Sequence, residues 1–547
     1  MKSEQTMTWI VGLIVLIGSP GAAFSQGPPP PPAEEQPEVL TRGPVHEAFA
    51  EPIDLVTHDG MVAPIEPPPN IQEIPPTERP QGEQFAWVPG YWSWDGDRNN
   101  YIWVSACWRA APPNMYWVPG YWNPVIGMRD DHRGSGWEVQ VGGVVDIRIG
   151  GSRVKSTEVV GWEWVGGFWT STGVEEIEYL PAPPAPPDLE PPGPPPSADR
   201  TWVPGCWYWH EEQYVRRPGY WLQQQPNWVW KPSHYRWTPR GYVFVAGHWD
   251  YSLDHRGVLF APVYFPPAVR TRVGFTYSPT IAIDVGALRA NLFVYPRYSH
   301  YYFGDYYDDA YVRVGIYPRF ESGRRRTYYD PLYVQDRWRN LRAEPRWEQH
   351  QRLEYDRRRN DRDLRPARTY REQQTRLARV PEPQREAQQV ARPLTTLVGR
   401  PQTQMRFERI APDARQQITR QATQMHKLRE ERNRWEAAEE DRSRVTRPPT
   451  RVRPPVERPA PQAGPPGRTS IAPPRAVRAT RAEKVKIPTP LIVDRPTALR
   501  RPEFAPPARP EDERRRGADD RGRGRGSDRG DERGRGRGRD DDRGRDR

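Results

Sequence analysis

Several stretches of the chain show a clear order of apolar and polar positions. Val145, Ile147 and Ile149 alternate with Asp146 and Arg148, which is the period-two pattern of a strand with one buried face. Gly142-Gly143 and Gly150-Gly151 flank that run as turn signals, and the second pair leads into a further strand over residues 153–160. Aromatic and β-branched runs at residues 258–265 and 291–298 predict strands as well. A helical period begins at Pro412-Asp413 and runs to about Glu440. Pro sits in its first turn with an acid beside it. Ala411, Ala414, Ile418, Met425, Leu428 and Trp435 share one seam of that helix, interrupted by Gln421 and Arg432. Such a helix is either a solvated charged rod or a weakly self-associating one.

A six-residue aromatic motif dominates the first half. Trp87-Val88-Pro89-Gly90-Tyr91-Trp92 recurs at Trp117 to Trp122, at Trp164 to Trp169 with Gly166-Gly167, and at Trp202 to Trp207. Copies that lack the first Trp follow at Arg216 to Trp221 and Phe244 to Trp249. The intervals are uneven, so the motif recurs without forming a strict solenoid. A turn centred on Pro89-Gly90 would set Val88 against Tyr91 and Trp87 against Trp92. An L-Pro-Gly turn twists poorly for a hairpin, so a sharp strand corner is the alternative.

Composition sets the frame around these motifs. The chain has 547 residues, 67 of them Pro, and its apolar fraction of 35% is too low for one globule using every residue. Yet 23 Trp are present, concentrated between Trp87 and Trp249. The expectation is a mainly β protein with two Trp-rich antiparallel blocks, followed by charged helix and long disordered Pro/Arg-rich segments. Residues 1–25 read as a signal peptide: Lys2 precedes a short apolar stretch over residues 9–17, and Ala23-Phe24-Ser25 offers a cleavage site before Gln26. Residues 26–84 read as an acidic, Pro-rich disordered linker. The first block is 85–180, a polyproline spacer fills 181–200, and the second block is 201–320. A charged segment with helices covers 321–442, and 443–547 reads as a disordered tail, Pro/Arg-rich and then Arg/Gly/Asp-rich. No apolar run is long enough to span a bilayer once the signal is removed.

The aromatic copies resemble bacterial proteins described as WXXGXW, or YXWGXW, repeat-containing. The likeness covers roughly residues 85–250, with Phe244 to Trp249 and the run from His300 to Asp308 resembling the exported members. It implies an extracytoplasmic location and carries no established activity, so no catalytic residue transfers.

Chemistry-bearing candidates are few. Cys107 and Cys206 could bridge in an oxidising compartment or remain two small buried side chains. His210 with Glu211 and Glu212, near His234, His248 and His255, matches no metal-ligand spacing. Asp305, Asp308 and Asp309 stand among tyrosines; paired carboxylates would suit a hydrolase of envelope polymer, whereas a polar aromatic loop requires no chemistry. No nucleophile elbow, phosphate loop or dinucleotide fingerprint is present, so neither catalysis nor a cofactor is expected. Residues 511–547 balance 14 Arg against 12 Asp and Glu, which argues against nucleic acid as a partner. The candidate surface is therefore aromatic: Trp87, Trp92, Trp117, Trp122, Trp164, Trp169, Trp202, Trp207, Trp221 and Trp249. These rings either form a core or offer platforms to sugars or Pro-rich segments. The function expected is non-catalytic association at the cell envelope, with polysaccharide or protein partners and weak self-association. A carbohydrate-binding module is the alternative.

Overall fold

The computed structural model describes residues 36–129, 156–322, 325, 327–381, 385, 388–399, 405–445 and 482–486. The strand expected around Val145 to Ile149 and its two Gly-Gly turns lie outside the described residues. The chain is mainly β, built from antiparallel ladders with one short parallel pairing of Thr276–Tyr277 on Gln72–Glu73.

The aromatic motif does not fold back on itself. Phe85–Val88 pairs with Cys107–Ala110, while Tyr91–Asp95 pairs with Asn100–Val104. Trp87 therefore faces Trp108, and Trp92 faces Trp103, instead of Trp87 facing Trp92. The twist of an L-Pro-Gly turn accounts for the difference. Pro89-Gly90 forms a corner where one ladder ends and the next begins, and Ser105-Ala106 interrupts the returning strand at the same level. Residues 103–108, Trp-Val-Ser-Ala-Cys-Trp, are thus a further copy with Ala106 in the glycine position.

The same arrangement recurs three times among the described residues. Residues 117–122 pair with 164–169, residues 202–207 with 216–221, and residues 230–235 with 244–249. In each pair, position one of a copy faces position six of its partner, and position two faces position five. Six indole pairs result, with ring centroids 4.9–5.4 Å apart. Each such pair stabilises by about 0.5–1.5 kcal/mol beyond the area it buries.

The glycine serves close approach and not a turn conformation, since no glycine of these copies has a positive φ. Five position-one indoles lie across the partner's glycine: Trp103 at Gly90, Trp164 at Gly120, Trp117 at Gly167, Trp202 at Gly219 and Trp230 at Gly247. A Cβ at Gly120 would fall 2.6 Å from Cζ2 of Trp164 and 2.6 Å from the Val165 carbonyl. Gly167 meets Trp117 and Val118 in the same way. The signature W-x-x-G-x-W thus describes two chains of atoms meeting.

The remaining segments lock onto these pairs. Within residues 36–84, expected as a solvated linker, residues 40–54 instead thread the interior: Thr41, Val45 and Phe49 are fully buried, and Gly43–Pro44 and Ile53–Asp54 join ladders, while 56–70 lie closer to the surface. Glu47, Glu51 and Glu73 are buried there, Glu47 beside His300 and Glu51 beside Lys231 and Arg236, which composition alone could not reveal, whereas Glu66 and Glu83 stay exposed. Nor are the two blocks separate. Val263 pairs with Trp103, Leu259 with Cys107, and Val243 with Tyr179. The proline run of 181–200 folds back on the third pair instead of holding two bodies apart. The long helix is Pro412–Val445, five residues longer than expected. Met425 of the seam read as self-associating is buried, and Ile418 and Leu428 pack partly buried against the core, so the middle of that seam is covered by the chain's own strands while Ala411 and Ala414 stay exposed. Within the tail, Glu483–Lys486 adds an ordered edge strand to Glu176–Leu180. There Glu176 faces Lys486 and Glu178 faces Lys484, opposite charges directly across the ladder. The rest of 446–547 lies outside the described residues.

Gly120→Ala and Gly167→Ala are expected to cost about 1–3 kcal/mol each, as an extra carbon is forced into filled space. Gly96→Ala, whose added carbon would meet nothing within 4 Å, should stay within about 0.5 kcal/mol. Urea denaturation midpoints check the pair, and equal shifts at Gly96 and Gly120 would refute the packing rule.

Candidate binding face on the third repeat pair

A corner leaves backbone N–H and C=O groups outside both ladders, and buried groups of this kind need partners. The first three pairs meet this need with side chains from elsewhere. In the first pair the Glu73 carboxylate accepts from Gly90 N at 2.8 Å and from Ala106 N at 2.9 Å. His46 Nε2 donates to the Pro89 carbonyl at 3.1 Å, and Arg429 donates to that of Gly90 at 3.2 Å. In the second pair Glu47 accepts from Gly167 N at 3.0 Å and from the Trp164 indole. Arg432 Nη1 donates to Pro119 O at 2.9 Å and Gly166 O at 3.0 Å. Arg432 also pairs with Glu436, which accepts from the Tyr121 and Tyr179 hydroxyls; both charged residues have 0% exposure. The fourth pair uses its own side chains: Ser233 Oγ accepts from Gly247 N at 2.9 Å, while His234 and His248 Nδ1 donate to Pro232 O and Ala246 O at 2.9 Å.

Burial decides the charge of these groups. His46 is held neutral, its pKa lowered by burial to about 4. Its Nδ1 accepts from Ala48 N, so the Nε2–H tautomer is fixed. Burial likewise lowers His234 to about 3, His248 to about 4 and His426 to about 3. Glu73 is raised by burial to about 7. For Glu47, burial opposes the charge but the His300 hydrogen bond and ion pair prevail, bringing it down to about 2.

The third pair differs from the others. Trp87, Trp92, Trp117, Trp122, Trp164, Trp169 and Trp249 are buried, whereas Trp202, Trp207 and Trp221 are half-exposed, as are Trp209 and Tyr214. Of the ten rings singled out from sequence, seven belong to the core and three to a surface. On one face of this pair lie Trp207, Trp209, Tyr214 and Arg216, covered in part by the proline run. Tyr214 Oη donates to Pro181 O at 2.5 Å, Trp207 Nε1 to Ala185 O at 2.7 Å, and Trp202 Nε1 to Asp188 O at 3.1 Å. Asp188 accepts from Gly219 N at 3.3 Å and pairs with Arg216. On the other face, Cys206, Tyr208, Arg217 and Tyr220 border a cavity of about 220 Å³ shared with Trp230 and Phe244 of the fourth pair.

The other candidates fall apart in space. Cys107 and Cys206 are both free thiols, so the bridge considered from sequence is not formed. Cys107 faces Val88 within the main core, while Cys206 faces Arg217 in the third pair. Burial pushes the Cys206 thiol up to about 12. His210, Glu211 and Glu212 make a hairpin tip, with Glu211 and Glu212 at positive φ. His255 bonds Ser252. No group of three metal-ligating side chains exists among the described residues. Asp305 pairs with Arg365 and Arg368, Asp308 with Arg365, and Asp309 with Arg359. Those carboxylates are occupied by guanidinium groups.

Sequence reasoning missed Glu47, Glu73, Asp188, Arg429 and Arg432, which have no local signature. It also missed the copies at 103–108 and 230–235; relaxing the motif glycine to any small residue would have found the first, and the second also needs Tyr235 accepted in place of the last Trp. No family model matches the chain, no curated protein matches it, and no solved structure matches it.

A pH dependence follows from the buried histidines. Between pH 6.5 and about 4 the unfolded chain binds protons at His46, His234, His248 and His426 that the folded chain refuses, so stability falls as pH drops. Each contributes ~1.4 kcal/mol per pH unit in that window. Glu73 acts in the opposite sense, holding a proton in the fold between its ordinary range and about 7. The histidines outnumber it, and the thermal midpoint should fall steeply below pH 6.5. His248→Asn keeps a donor for Ala246 O and should reduce the linked proton uptake by about one.

Proposed function

We propose that the protein is an exported, non-catalytic interaction protein of the bacterial cell envelope and a WXXGXW repeat protein. Its repeat pairs build a rigid body, and the half-exposed rings of the third pair present a binding face. The charged residues of 443–547 add electrostatic contacts with the envelope. The observation that carries this reading is the contrast in burial: Trp202, Trp207 and Trp221 are half-buried while the other seven rings are buried. Export is supported by the leader pattern of residues 1–25. Among the described residues no helix is long and apolar enough to cross a membrane. A carbohydrate-binding role is the second reading, favoured by flat half-exposed indoles at Trp202, Trp207 and Trp209.

Expression of the full chain in a bacterial host tests the proposal. The expected result is a product outside the cytoplasm whose mature chain begins at Gln26, retained in the envelope fraction. Trp207→Ala should remain exported and folded but wash off the envelope several-fold more easily. A product confined to the cytoplasm, or retention indifferent to Trp207, would refute it. Intrinsic fluorescence of the native protein should be mainly blue-shifted and shielded from acrylamide. Chitohexaose should alter the accessible fraction only if the carbohydrate reading holds.

A further inference from the structure

The third pair breaks the reciprocity of the others at one position. Trp202 lies over Gly219, but the partner copy begins with Arg216, so no indole covers Gly205. Pro187 takes that place: a Cβ on Gly205 would fall 3.0 Å from Pro187 Cγ and 3.0 Å from the Pro187 carbonyl. A prolyl ring from outside the repeat thus substitutes for a missing tryptophan.

The surrounding contacts have the chemistry of polyproline recognition. A polyproline II chain makes no internal hydrogen bonds, so its carbonyls are free to accept from aromatic donors in a groove. Tyr214, Trp207 and Trp202 supply three such donors to Pro181, Ala185 and Asp188. Asp188, at φ 51°, turns the chain out of that conformation directly after the prolines, so its carbonyl and carboxylate close the segment. The run has no helix or strand of its own, and residues 190–198 beyond it are exposed. Asp188 completes the contact, its carboxylate meeting Arg216 and Gly219 N as Glu47 and Glu73 meet the other corners.

We propose that this face binds proline-rich segments closed by an acidic residue, in the polyproline II conformation. Residues 181–188 occupy it within the same chain, and an equivalent segment of another chain competes for it. Residues 28–35, Pro-Pro-Pro-Pro-Pro-Ala-Glu-Glu, have the required composition. The inference rests on reading the third pair as a binding face and names the ligand class for it.

The test uses the full chain and a fluorescein-labelled peptide of the sequence of residues 181–190. One variant combines Pro183→Gly, Pro184→Gly, Pro186→Gly, Pro187→Gly and Asp188→Ala; a milder one carries Asp188→Ala alone. Both free the face from its internal competitor, so anisotropy should show peptide binding at least about ten-fold tighter than in the wild type. Tyr214→Phe in the loosened background should weaken binding several-fold without changing circular dichroism. Replacing the peptide's aspartate by alanine should weaken it also. A folded loosened variant that ignores the peptide up to about 1 mM overturns the proposal. Binding indifferent to Tyr214→Phe, or loss of fold in both variants, does so as well. If chitohexaose binds in place of the peptide, this inference falls while the binding face itself stands. Envelope retention indifferent to Trp207 would remove the face altogether.

Discussion

Bending a β-ladder in the interior of a protein strands hydrogen-bonding groups, and this fold is arranged around that cost. Each aromatic pair brings two backbones so close that only glycine or a small residue fits beneath the opposing indole. At the same level both strands leave one ladder for another. Backbone groups at the corners then face the interior with no strand beside them. An unpaired buried donor or acceptor costs about 1–3 kcal/mol, so unfilled corners would offset much of what the ring pairs contribute. Glu73, Glu47, Asp188 and Ser233 receive the N–H groups, while His46, Arg429, Arg432, His234 and His248 serve the carbonyls.

That requirement explains why segments far apart in sequence fold onto the repeats. Residues 46–51 run through the centre and serve three pairs. His46 and Glu47 reach two corners, and the Ala48 and Phe49 carbonyls accept from Arg109 and Arg256. Glu51 pairs with Lys231 and Arg236. Arg109 and Arg256 share Asp250, at 2.6 and 2.9 Å. The helix Pro412–Val445 docks through Arg429 and Arg432, and Arg432 also packs over the rings of Tyr121 and Phe168. Removing one partner of such a buried pair leaves an uncompensated charge, which is more costly than the pair is stabilising. The charges therefore act as selectors of arrangement as much as sources of stability.

The repeats were legible in the sequence because their chemistry is local. Six-residue spacing, a small residue at position four and aromatic ends announced both the β class and the corner alternative. The partners of the corners were not legible, since a carboxylate has the same letter in a solvated linker as beneath a glycine amide. Net acidity between residues 26 and 84 argued for extended, hydrated chain, and counting charges cannot show that Glu47 meets His300 and Gly167 N. Arg432 misled in the same way. It breaks the heptad seam, which reads as a solvated face, yet it has 0% exposure because its guanidinium substitutes for two missing ladder donors. The copies at 103–108 and 230–235 escaped because Ala106 and Ser233 occupy the glycine position and Tyr235 replaces the last tryptophan of the second.

Arg216 shows how one departure from a repeat can turn a structural element outward. An indole there would lie over Gly205 and close the third pair as the others are closed. A guanidinium on a half-exposed strand prefers water and a carboxylate, and Asp188 provides the latter. The glycine is left with a gap the size of a ring, and a prolyl ring fits it without bringing a backbone donor that would need its own partner. Around that gap the indoles of Trp202 and Trp207 and the hydroxyl of Tyr214 donate to the main chain of residues 181–188. The same close approach that makes the first, second and fourth pairs into core thus makes the third a groove, and what fills it is set by the absence of a single tryptophan.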